Sequence, residues 1–158
     1  MIKIAENALL KKYIYRACEQ KLEASIADLK DRIQSLLQTE GLGNEEAYDN
    51  HTLADTAQQM SEVDALTESL DFMLDQMRQL ERMKTAAEVI HHVVEPGAVV
   101  ITNAGSFFIA VGVESFQVQE KTYTGLSSQS ALFAALEGKK AGSVARYHGT
   151  SYTIKKVF

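Results

Sequence analysis

Residues 22–37 read LEASIADLKDRIQSLL, with apolar side chains at Leu22, Ile26, Leu29, Ile33 and Leu36, in steps of four, three, four and three. Residues three and four apart share one face of a helix, so this spacing is the seam of a helix that lies along a second one. Tyr15 and Cys18 continue the stripe upstream, and neither Pro nor Gly occurs between Met1 and Glu40. A single helix from about residue 7 to about residue 38 is predicted, roughly 45 Å long at about 1.5 Å per residue. The run Thr39-Glu40-Gly41-Leu42-Gly43-Asn44 ends it, since two glycines and an Asn let the chain leave a helix at little steric cost.

A second seam follows as Val63, Leu66, Leu70, Met73, Met77 and Leu80, continued by Ala87 through a polar Lys84. It predicts a helix from about residue 53 to about residue 90, folding back on the first as an antiparallel coiled-coil hairpin. The seam side chains are core. A two-helix hairpin is too narrow to hold a pocket, so its chemistry belongs at its end.

Glu95-Pro96-Gly97 marks a boundary, because Pro96 is the single proline of the chain. Beyond it, runs rich in β-branched and aromatic residues occupy 98–102, 106–111, 116–118, 144–147 and 152–157, punctuated by glycines that include Gly112, Gly125 and Gly138. They predict a small antiparallel sheet. One short helix is predicted over Ser130–Gly138, with Ser128 or Ser130 as its cap and Gly138 as its stop. The fold class is α+β: residues 1–92 form the hairpin and residues 93–158 a small β domain.

Charge divides the chain in the same place. Residues 1–92 hold ten Lys or Arg against seventeen Asp or Glu, whereas residues 93–158 hold six against four. Between Glu40 and Gln76 there are ten acidic residues and no Lys or Arg. Such a field repels a phosphate backbone and attracts a basic protein surface or a divalent cation, which argues against DNA or RNA binding there. Apolar runs are too short to span a bilayer, the N-terminus lacks a signal-peptide pattern, and the single Cys18 suits a reducing compartment. A cytoplasmic monomer is expected.

The usual catalytic motifs are absent: no Cys-x-x-Cys, no His-Glu-x-x-His, no phosphate-cradling Gly-Lys-Ser or Gly-Lys-Thr loop and no Gly-x-Ser-x-Gly. His91 and His92 are adjacent, which on a helix points them about 100° apart and suits joint metal ligation poorly. What remains is the hairpin end, where Glu45, Glu46 and Asp49 lie within five residues. Glu46 and Asp49 are three apart, a spacing that shares a helix face. Two carboxylates fall short of the six oxygens Mg²⁺ demands, but they can complete a shell begun by another protein.

The stretch Gly125-Leu126-Ser127-Ser128-Gln129-Ser130-Ala131-Leu132-Phe133-Ala134-Ala135-Leu136-Glu137-Gly138-Lys139-Lys140-Ala141-Gly142-Ser143-Val144 resembles the Gre-type (GreA/GreB) transcript cleavage factors, bacterial proteins that bind RNA polymerase. Gly97 with Val99-Val100, and Phe107-Phe108-Ile109 ahead of Gly112, resemble the same family's earlier strands. The resemblance covers nearly the whole chain in layout and implies a coiled-coil hairpin followed by an FKBP-like domain. Aligned from Glu62-Val63-Asp64, Glu46 falls on the family's tip Asp, Asp49 on its Glu and Asn50 on its Asn. Both acids are kept in kind and swapped in length. Such a swap moves each oxygen by roughly 1 Å, and a misplacement of that size costs about a hundredfold in rate. Two further positions depart from the family pattern, where Ala131 replaces a Pro and Ser143 an Asp.

The resemblance implies an RNA polymerase-binding elongation factor whose hairpin enters the polymerase's secondary channel. There Glu46 and Asp49 would help hold a Mg²⁺ that belongs mainly to the polymerase and promote cleavage of backtracked transcripts. Phe107, Phe108, Ser128 and Ser130 are the partner-contact candidates. The alternative is a regulator that occupies the channel without promoting cleavage. A third reading, peptidyl-prolyl isomerase activity, rests only on the implied FKBP-like fold, and a fold does not confer a function.

Overall fold

The structure, a computed structural model, describes the backbone of residues 2–41 and 50–158, with side chains described over 5–38 and 57–158. Helix α1 spans Ile2–Gly41 and α2 spans Asn50–Arg82, followed by the short α3, Lys84–Glu88. The strands are β1 (Val99–Thr102), β2 (Gly105–Ala110), β3 (Val113–Val118) and β4 (Lys121–Ser127), then helix α4 (Ala131–Leu136), β5 (Val144–Tyr147) and β6 (Thr150–Val157). A long helical hairpin thus precedes a sheet with one short helix.

The chain divides into two compact units, residues 23–75 in one and residues 1–22 with 76–158 in the other. In the first, Ile26 on α1 is buried, and Leu29, Ile33 and Leu36 on α1 with Val63, Leu66, Leu70 and Met73 on α2 are a half-buried stripe among mostly exposed neighbours. The seams are therefore where the spacing put them. Beyond Ile26 the stripe stays half-buried, because two helices alone enclose a side chain from few directions.

In the second unit the same seam becomes core. Ile14, Cys18 and Leu80 are fully buried, and Leu22 and Ala87 nearly so. The helix predicted to run to residue 90 instead breaks at Met83, which sits at φ −88°, ψ 0°. Its amide hydrogen is shared between the carbonyls of Gln79, at 3.2 Å, and Leu80, at 3.1 Å. No Pro or Gly explains the break. Helix α3 then ends at Glu88, where His91 takes the Ala86 carbonyl at 2.7 Å and Lys11 takes that of Val89, so the last carbonyls are satisfied without further helical turns.

The sheet runs in the order β3-β4-β2-β1-β6-β5. It is mixed, not wholly antiparallel as the sequence suggested, because β2 and β4 pair in parallel from Phe107↔Thr124 to Ala110↔Ser127. Strand β4 itself lies where the sequence offered only a punctuating glycine. Alternation along β2 sends neighbouring rings to opposite faces. Phe107 joins a cluster with Val100, Ile109, Phe133, Leu136 and Ile154. Phe108 instead meets Tyr15 of α1, ring to ring at 6.4 Å and 74°. Helix α4 covers one face of the sheet and the base of the hairpin covers the other.

Candidate functional site

Glu46 and Asp49, the tip pair expected to finish a Mg²⁺ shell, lie outside the described residues. Among the described residues, no group of three or more His, Cys, Asp or Glu gathers as a metal site. The described part of α2 carries Glu62, Asp64, Glu68, Asp71 and Asp75, all exposed. Facing solvent on a slender pair of helices, these carboxylates give the shaft a negative surface.

The four partner-contact candidates do not share one patch. Phe107 and Phe108 are buried, at 8% and 1% exposure, on opposite faces of the sheet. Ser130 caps α4, its hydroxyl oxygen accepting from the Phe133 amide at 3.1 Å. The turn before it is held by the Ser127 hydroxyl, which accepts from the Gln129 amide at 3.1 Å, and by the Ser127 carbonyl, which accepts from the Ser130 amide. Ser128 is half-buried in that turn. Gly138, at φ +76°, lets the chain turn out of α4 as the sequence proposed, and its amide then bonds the Val94 carbonyl at 2.8 Å.

Sequence reasoning did not find the polar cluster at the hairpin base. Lys11 is 1% exposed. Burial holds its ammonium down at about 8, while the nearby Glu95 carboxylate pulls the other way. His91 places its Nδ1 2.6 Å from a Glu95 oxygen and its Nε2 2.7 Å from the Ala86 carbonyl, so both ring nitrogens face acceptors. It is a structural fastener between α3 and the start of the sheet domain, and its nitrogens are not free to ligate a metal. One signal could have located the cluster. Lys11 lies four residues before Tyr15 and Lys84 four after Leu80, so each apolar seam carries a lysine where it approaches the sheet.

Lys11 and Lys84 line one cleft of about 310 Å³, together with Lys12, Arg16, Glu19 and Glu88. Arg16 makes a loose 3.5 Å pair with Glu19. On the same helix, the Cys18 thiol is fully buried and pushed up to about 12, chiefly by desolvation, with Glu19 adding to it. It is no nucleophile.

No family model and no curated protein matches the chain. Among solved structures it is similar to GreA factor homolog 1 (Gfh1) of Thermus thermophilus, at 16% identity and a TM-score of 0.33, over 90% of this chain and 95% of that one. It is similar also to Gfh1 of Thermus aquaticus, at 14% identity and a TM-score of 0.29, over 90% and 94% of the two chains.

Proposed function

We propose that this chain is a regulator that binds RNA polymerase and lays its helical hairpin in the secondary channel without promoting transcript cleavage. The observation that carries the reading is the shaft of α2, where five exposed carboxylates follow one another from Glu62 to Asp75 with no Lys or Arg among them. A narrow acidic rod fits a channel lined by basic protein and is repelled by nucleic acid, and complementary charge speeds such docking. The sequence resemblance in residues 125–144 supplies the partner's identity, and the FKBP-like character of the sheet domain belongs to the same proposal. Ser128 and the turn around it offer a partner contact, while Phe107 and Phe108 hold the domain's core.

Against cleavage stands the exchanged side-chain length at Glu46 and Asp49, each acid differing by one methylene from the family pattern. The protein is then a non-enzymatic factor, with Mg²⁺ left to the polymerase. A purified backtracked elongation complex with Mg²⁺, given wild-type protein or E46A/D49A, tests this. Both proteins are expected to bind polymerase, and neither to shorten the transcript beyond the polymerase's own rate. Shortened RNA with wild type but not with the double variant would replace this reading with cleavage in trans.

A further inference from the structure

At the hairpin base, charge has been collected in a way that packing does not require. Lys11 occupies a buried seam position of α1, where an apolar side chain would close the core as Leu22 and Leu80 do, and the exposed Lys84 opens α3 on the same cleft. Lys12 and Arg16 add two more cations one turn apart on α1, a like-charge pairing that destabilises a helix by itself. Two carboxylates, Glu19 and Glu88, line the same cleft and offset only part of this charge. Arg16 is engaged by Glu19 and Lys11 by the Val89 carbonyl, whereas Lys12 and Lys84 have no ion-pair partner among the described residues.

The result is a concave space of about 310 Å³, at the lower end of the range for small-molecule sites, roughly 300–1,000 Å³. Four cationic side chains line it, with Tyr15 and Ala87 among them and the two carboxylates. We infer that this cleft binds a small polyphosphate anion, a free phosphate chain or the phosphate tail of a nucleotide, through Lys12 and Lys84 with Lys11 and Arg16 behind them. A chain of two or three phosphates presents several charges in a row, which matches separated point-charge donors better than a single carboxylate does. The assignment does not depend on polymerase binding, since the whole cleft belongs to one compact unit of this chain.

Isothermal titration of the full chain with inorganic tripolyphosphate at low ionic strength tests it. Saturable binding at one site is expected, weakened at least tenfold in K12Q/K84Q and in K84Q alone by a smaller factor. The control K139Q/K140Q, which alters the same charge elsewhere, should stay within twofold of wild type. Both targeted lysines are exposed, so thermal melts should show the variants folded. ATP binding tighter than tripolyphosphate identifies a nucleotide, and equal binding a free phosphate chain. No saturable binding, or an equal loss in the control, overturns the site. So does tighter binding of a single-stranded RNA of matched charge, which would make the cleft a nucleic-acid surface.

Discussion

Tyr15 on α1 and Phe108 on β2 meet edge to face, with centroids 6.4 Å apart and planes at 74°. This contact joins the first seam of the hairpin to the hidden face of the sheet, and Phe108 is 1% exposed there. Replacing Phe108 with Ala should cost about 3–5 kcal/mol by opening a cavity. A double-mutant cycle of Y15L and F108L should return a coupling of about 0.5–1.5 kcal/mol, the usual worth of an aromatic pair beyond its burial. Chemical denaturation measures both, and a coupling near zero would show that helix and sheet are fastened elsewhere.

Two buried tyrosines should respond oppositely to loss of their hydroxyl. The Tyr15 hydroxyl donates to the Leu80 carbonyl at 3.2 Å, tying α1 to α2. That of Tyr123 is buried with no hydrogen-bond partner among the described residues. Y15F should therefore lose about 1 kcal/mol, and Y123F should be neutral or gain about as much, because an unsatisfied buried hydroxyl costs desolvation without return. Equal losses in urea titrations of the two variants would contradict the assignment.

Much of this architecture was legible in the residues, and the failures share a cause. The seams from Leu22 to Leu36 and from Val63 to Leu80 follow from spacing alone, and Ser130 and Gly138 delimit α4 by local chemistry. The parallel pairing of β2 with β4 was not legible, because local pattern does not name a strand's partner. The break at Met83 carries no local signal either, since neither Pro nor Gly lies near it, and the close of α3 at Val89 is bonded by Lys11 from the other helix of the hairpin. Strand β4 was hidden by Gly125, which reads as a turn and is in fact a close approach of backbones. At the candidate site, the acidic shaft could be read from composition, whereas the basic cleft needed Lys11 and Lys84 brought to one cleft by the fold.

Gly125 gives that last reading a direct check. A Cβ there would lie 2.6 Å from the Val111 carbonyl oxygen and 2.9 Å from both the amide nitrogen and the Cβ of Val113. Two of those three neighbours are backbone, which cannot swing aside as a side chain would. G125A should destabilise the domain by about 3 kcal/mol or more, within the range of overpacked buried sites. At Gly138 an added Cβ meets nothing within 4 Å, so G138A should cost only the strain of φ +76°, about 1 kcal/mol. Thermal melts that rank G138A as the worse variant would place the packing elsewhere.

The buried Lys11 makes stability depend on pH in a predictable sense. Its ammonium is held at about 8 in the folded chain against an ordinary 10.5. Between those values the unfolded chain binds more protons, so this residue's contribution to stability rises with pH and is least favourable below 8. Cys18, raised from 9.0 to about 12, and Tyr15, raised from 10.0 to about 12, act oppositely above pH 9, because there the folded chain keeps protons the unfolded one loses. The window from pH 8 to 9 therefore reports Lys11 most cleanly, and K11M isolates it throughout. The stability of K11M minus that of wild type should fall steadily from pH 8 to about 10.5, as wild type sheds the cost of its buried charge. A difference independent of pH in urea titrations would mean that the Val89 carbonyl and Glu95 fully compensate the ammonium.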